Sequence, residues 1–208
     1  MIWGSKMAKW AKKNLPRYAT GSLAAALSLY FVYEGRADLT ILAASIFFLL
    51  ISIVDTVYSR IPNLANLLFL LTGLGYHLYL AGASGLLFSA LGIVAGLSLL
   101  LVPYLMGGMG AGDVKAMAAL GALLGPGAIF QVFLYTGLIG GLLGLFHYAL
   151  SNNLKDKCLE WIQTIKAFAY TRSFNSLKPA GRAEQLRFPY AAAIAFGFFA
   201  YVNWGGLL

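Results

Sequence analysis

The chain has 208 residues, of which 60% are hydrophobic and only 11% charged, a balance no soluble core of this length can bury. The formal net charge of +8 raises nucleic-acid binding, but no surface of interleaved basic and aromatic residues accompanies it, and no nucleic acid is expected as a partner. The single Cys158 excludes an internal disulfide and a four-cysteine zinc module, so neither metal, redox chemistry nor a cofactor is expected.

In chain order, apolar runs fall near Tyr18–Tyr33, Leu39–Val54, Leu64–Leu80, Ser84–Met106, Val114–Leu124, Ile129–Leu150 and Phe188–Trp204. A membrane span needs about 20 residues, somewhat fewer with interfacial flanks. The runs predict an all-α polytopic bundle of about seven transmembrane helices, in one membrane-embedded domain over 1–208. The fifth run stops at Gly125-Pro126-Gly127 and is expected to be short, tilted or set in a thinned bilayer. The basic segment before the first run has no small-residue cleavage site ahead of Glu34, so it reads as a signal anchor.

The basic residues obey a topology. Lys6, Lys9, Lys12, Lys13 and Arg17 precede the first run, and Lys155, Lys157, Lys166, Arg172, Lys178, Arg182 and Arg187 lie between the sixth and seventh. Arg60 and Lys115 sit in two other connections, and only Arg36 falls in the opposite set. With a cytoplasmic amino terminus, seven crossings put fourteen of fifteen basic residues on the cytoplasmic side, as the positive-inside rule requires. The charge is also compatible with contact to anionic membrane lipid.

The long connection, residues 151–187, is too small for an independent domain. Within it Leu154, Cys158, Trp161, Ile162, Ile165, Phe168 and Ala169 recur at three- and four-residue steps, with Lys155, Asp156, Glu160, Gln163 and Lys166 mostly between them. This pattern predicts an amphipathic helix on the cytoplasmic membrane face, serving either as a packed linker or as a surface that guides substrate.

Acidic residues are expensive in a bilayer, so each of the seven can be weighed separately. Glu34 and Asp38 lie with Arg36 in a short external loop, and Asp156, Glu160 and Glu184 lie in the basic connection, where solvation accounts for them. Asp55 ends the second run, and the third and fourth runs form a hairpin that returns the chain to the same face before Asp113. Both carboxylates therefore belong at the cytoplasmic side. Taken alone, Asp55 reads as a solvated interfacial group and Asp113 as a cap of the fifth helix. Glycine is common at helix crossings in membranes, so the Gly110-x-Gly112-Asp113 pattern by itself carries little. His77 and His147 lack metal-site spacing and read as packing residues.

The combination of blocks is more specific. Asp55 is followed by Arg60-Ile61-Pro62-Asn63; Met109-Gly110-Ala111-Gly112-Asp113-Val114-Lys115 is followed by Ala118, Ala119, Leu120 and Gly125-Pro126; and Phe188-Pro189-Tyr190 precedes Ala193, Ile194, Ala195 and Gly197. With these blocks the chain resembles the type IV prepilin peptidases, and most closely their short members, of the Flp or Tad pilus systems and related archaeal enzymes. The resemblance implies a Gly-x-Gly-Asp aspartyl protease with a six-helix peptidase core preceded by one further helix. Asp55 and Asp113 match the family's catalytic pair. It also implies a precursor of a pilin or pilin-like protein as partner, cut where its short basic leader meets the apolar helix, in the cytoplasmic membrane of a prokaryote. Because a basic leader meets a basic face here, anionic lipid or acidic substrate residues must offset the repulsion. The chain shows neither a nucleotide-binding glycine fingerprint nor the cysteine-rich module of the larger enzymes, and gives no support to methyl transfer.

Peptide hydrolysis needs a base to activate water and an acid to protonate the departing nitrogen, which two carboxylates sharing one proton supply. Asp113, nearer a helix start, is expected to hold the negative charge. Gly110 and Gly112 are expected to allow positive φ and close approach of an extended substrate. Arg60, Pro62 and Asn63 are expected to position the site, with Asn63 capping the third helix. Lys115 reads first as an interfacial anchor, and otherwise as a contact to phospholipid, substrate or Asp113. Pro189 and Tyr190 start the last helix, where proline suits the first turn and tyrosine the interface, and the family motif suggests packing beside the site. The alternative readings are an ion-coupled transporter with the aspartates lining its pathway, and a noncatalytic membrane assembly subunit in which both are caps.

Overall fold

A computed structural model describes residues 2–35, 37–106, 109–150, 159, 162, 163, 166 and 190–207. Among them the chain is all helical: α1 (Ile2–Glu34), α2 (Leu39–Tyr58), α3 (Asn63–Leu105), α4 (Ala111–Leu150) and α5 (Tyr190–Trp204). Helices α2, α3 and the Ala111–Leu145 stretch of α4 are long and apolar enough to cross a membrane, while α5 is a shorter apolar helix. The chain is a helical membrane protein.

Local chemistry sets the connections. Asp38 is extended and its carboxylate accepts from the N–H groups of Thr40 and Ile41 at 2.8 and 3.3 Å, so this residue of the short loop starts α2. Ser59 ends α2 in the left-handed conformation, at φ 54, and its N–H donates to the Asp55 carbonyl at 2.9 Å.

The described residues hold five helices instead of the expected seven. The third and fourth runs are the single helix α3, and the fifth and sixth are the single helix α4. Each pair is joined through one non-helical glycine, with helical hydrogen bonding resuming directly past it, so the two runs form arms that meet at a kink with no loop between them. Gly82 (φ 59, ψ −134) interrupts α3 and Gly125 (φ 81, ψ 174) interrupts α4, both in regions closed to other residues. At the first bend the chain reverses, bringing Gly85 against the backbone of His77 so closely that no Cβ would fit.

Helix α4 packs on both arms of α3 through small residues, as membrane helices do. A Cβ on Gly92 or Gly121 would collide with the carbonyl of the other, and Gly73 lies on the backbone of Ala122 and Leu123. Pro126 has no N–H to offer the carbonyl four residues earlier. Ser89 Oγ instead donates to the Ala122 carbonyl at 2.7 Å, and His77 Nε2 to the adjacent Leu123 carbonyl at 2.8 Å. A carbonyl only accepts, so His77 carries its proton on Nε2. This histidine of the packing class thus serves the bend.

Helix α5 closes the bundle. Ala191–Ala195 are buried, and ring pairs tie the elements together: Phe31 with Phe199 at 4.5 Å, Phe47 with Phe69 at 4.0 Å and Phe48 with Phe198 at 5.5 Å. Of the amphipathic helix expected within 151–187, Leu159, Ile162, Gln163 and Lys166 are helical and exposed; the rest of it lies outside the described residues.

Candidate active site

Asp55 lies on the last turn of α2 and is buried, at 9% exposure. Asp113 is the third residue of α4 and half-buried. The reversal of α3 at Gly82 returns the chain to the end from which it left. The first turns of α3 and α4 are consequently in contact: Asn66 Nδ2 donates to the Gly112 carbonyl and Lys115 Nζ to Asn63 Oδ1, each at 3.0 Å. Residues 59–62 are all that separates α2 from that contact. Asp55 and Asp113 are close enough for the charge of one to act on the other.

Asp113 does not stand before its helix as a cap. It occupies the third helical position and reaches back, its Oδ2 accepting from the Gly110 N–H at 3.0 Å while its own N–H donates to the Gly110 carbonyl at 3.2 Å. This is the acidic half of a capping box, in which a glycine stands where serine or threonine is usual. Asp55 meets a helix start too, because the backbone N–H of Ala191 in the first turn of α5 acts on its carboxylate. Nearness to a helix start therefore does not single out Asp113 as the charged partner. Among the described residues a cation stands beside the pair: Arg17 of α1 donates from a guanidinium nitrogen to the Asp55 backbone carbonyl at 2.7 Å, and its charge acts on Asp55.

The remaining motif residues fall into place unevenly. Gly110 and Gly112 are absent from the positive-φ residues, contrary to expectation; among the described residues those are Ser59, Gly82, Gly125 and Gly205. The two motif glycines supply space. A Cβ on Gly112 would stand 3.1 Å from Ile61 Cβ, and one on Gly110 would stand 3.2 Å from Asp113 Oδ2. Asn63 does not cap α3; Pro62 holds the cap position without a side-chain bond, and Asn63, one residue later, accepts from Lys115 instead. Lys115 is accordingly a strut between α3 and α4. Arg60 is exposed, and Pro189 lies outside the described residues. Tyr190 begins α5 and lines a cavity of about 270 Å³ together with Asp113, Leu100, Met109, Phe133 and Ile194. Asp113 therefore faces an apolar cleft between α3, α4 and α5.

Three contributors escaped the sequence reading. Arg17 was counted with the topological charges, although it stands four residues before Gly21, whose missing side chain lets α1 press against Thr56, next to Asp55. Asn66 is a buried amide three residues after Asn63 in an apolar run, a signal available in the sequence. The Ala191 N–H carries no signal at all, since any residue but proline supplies one.

Two carboxylates within electrostatic reach, beside an apolar cleft and partly withdrawn from solvent, form an acid–base pair suited to activating water. No curated protein and no solved structure matches the chain. A model of the type IV leader peptidase family matches residues 42–145, half of the chain, taking in both Asp55 and Asp113 and leaving Arg17 and Tyr190 outside. A helical membrane protein with this match belongs to the type IV leader peptidase family.

Proposed function

We propose that the chain is an aspartyl endopeptidase that removes the short basic leader from prepilin-like precursors at the cytoplasmic face of the membrane, with Asp55 and Asp113 sharing one proton. The observation that carries the reading is their meeting at one end of the bundle beside an apolar cleft, within a segment that matches the leader peptidases. Neither a transporter path near the midplane nor a pair of unrelated caps accounts for it.

In the proposed reaction the ionised carboxylate takes a proton from water, and the hydroxyl adds to the scissile carbonyl carbon. The protonated carboxyl gives its proton as the tetrahedral species collapses, the C–N bond breaks, and the departing nitrogen leaves as an amine. The leader ends in a new carboxylate, and the pair again holds one proton between them. The cleft beside Asp113 suits an apolar stretch of substrate, while the cationic cytoplasmic side repels a basic leader unless anionic lipid or acidic substrate residues offset it. With the bends at Gly82 and Gly125, the chain crosses seven times: at ~1.5 Å per residue the 43 residues of α3 would run roughly 65 Å if straight, twice a hydrocarbon core of ~30 Å.

The test is leader removal from a co-expressed prepilin-like precursor, followed by mass, for wild type, Asp55→Asn and Asp113→Asn at matched abundance. Each single variant is expected to lose ~10²–10⁴-fold in rate, the usual scale of acid–base catalysis. Equal cleavage by all three would remove the two aspartates from the chemistry.

A further inference from the structure

Resting on that reading, we propose that Arg17 is a positioning residue of the peptidase, holding the end of α2 so that the Asp55 side chain meets Asp113 and standing as the cation beside the pair. It lies outside the segment that matches the family, on a helix that precedes it.

The geometry gives Arg17 more than a place at the membrane surface. A residue that serves topology alone needs only to remain at the membrane surface, where its charge is solvated. Arg17 is instead half-buried and donates to the Asp55 backbone carbonyl at 2.7 Å. That carbonyl belongs to the last turn of α2, where the dipole favours a cation. It also takes the Ser59 N–H at 2.9 Å, so the turn carrying Asp55 is fixed from both sides.

The approach of α1 is built for this. Gly21, one helical turn after Arg17, abuts the Thr56 side chain where a Cβ would collide, and Thr56 is held by its own bond to the Ser52 carbonyl at 2.6 Å. Thr20 Oγ1 donates to the Arg17 carbonyl at 3.1 Å, tightening the same turn. Facing Asp55 are then Arg17 from α1, Asp113 from α4 and the Ala191 N–H from α5. Among the described residues, one cation and two helix starts, those of α4 and α5, thus offset the two carboxylates. A guanidinium is planar and donates in a fixed fork, whereas an ammonium supplies the charge without that geometry.

The experiment measures initial rates of leader removal over a range of precursor concentrations in membrane vesicles, for wild type, Arg17→Lys, Arg17→Gln and Asp55→Asn, with thermal unfolding followed on each. Arg17→Gln is expected to lower kcat about 10- to 100-fold, as displacement of a catalytic group does, with KM unchanged. Arg17→Lys is expected to recover part of that loss while unfolding like Arg17→Gln. A wild-type kcat in Arg17→Gln, with Asp55→Asn inactive, would overturn the role of Arg17 and leave the peptidase reading standing. A loss shared equally by the Lys and Gln variants and accompanied by lowered unfolding temperature would also overturn it, leaving a merely structural residue. Cleavage by Asp55→Asn at the wild-type rate would overturn the paired-carboxylate reading itself, and the role of Arg17 with it.

Discussion

At Gly112 the space for a methyl group is almost absent, since its Cβ would stand 3.1 Å from the Cβ of Ile61 in the connection after Asp55. The Gly112 carbonyl is also held by the buried Asn66 amide. Movement at Gly112 therefore carries Asp113, the next residue, away from Asp55. Gly112→Ala is expected to reduce the rate of leader removal by about 10- to 100-fold, the scale of a displacement of an ångström or less, while the protein stays folded. Rates at matched abundance, with thermal unfolding as control, check this; a wild-type rate would mean that Ile61 yields without cost. The two aspartates were legible in the sequence because a carboxylate at the end of an apolar run is costly and needs a reason. The purpose of the glycines was legible only in kind: pattern shows that a side chain is unwelcome, but not whether φ or a neighbour excludes it. Asn63 was misread because asparagine at a helix start is usually a cap, and Lys115, more than fifty residues later, claims its oxygen instead.

Among the elements, α4 carries the sharpest local constraint. Gly125 has φ 81 and ψ 174, and a Cβ there would enter the ring of Phe88. Gly125→Ala combines a backbone conformation costing of order 1–3 kcal/mol with an overlap that must push Phe88 aside. The expected result is a loss of at least about 2 kcal/mol on the same grounds, measured as a lowered unfolding temperature in detergent. Because the bend lies twelve residues along α4 from Asp113, the folded fraction should retain its acid–base pair and cleave. An unchanged unfolding temperature would show that α4 straightens through this point without cost. The Gly125-Pro126-Gly127 sequence announces a break, and that much was legible; that α4 continues beyond it was not. Continuation depends on Ser89 and His77 supplying donors to the Ala122 and Leu123 carbonyls. Both donors come from α3, so neither is visible in the local sequence. The same holds for Gly82, whose φ of 59 joins two apolar runs at a kink with no loop between them.

For the whole molecule, the decisive quantity is the side of the membrane on which each connection lies, because leader removal requires the aspartates where the basic leader remains. The α1–α2 connection carries Asp38 and follows Glu34 at the end of α1, and the 151–187 connection carries seven basic residues. In the proposed topology of seven crossings with a cytoplasmic amino terminus, these two lie on opposite sides, with Asp55 and Asp113 on the side of the second. The positive-inside rule proposes this arrangement from sequence, since it depends on counts of lysine and arginine and not on packing. What sequence left hidden was how α1 joins the site, because its basic residues looked alike until Arg17 proved half-buried against Asp55. The topology can be read with one thiol at a time, as the chain contains only Cys158. A membrane-impermeant maleimide is expected to label Cys158 in inside-out vesicles and not in intact spheroplasts. In a Cys158→Ser background, Ala37→Cys, at an exposed residue of the α1–α2 connection, should give the reverse pattern. Labelling of both from one side would require an odd number of the proposed crossings to be lost between them. If Cys158 alone is labelled from outside, the connection that follows α4 is external. If both patterns invert together, the aspartates face away from the leader, and a peptidase acting at the cytoplasmic face is ruled out.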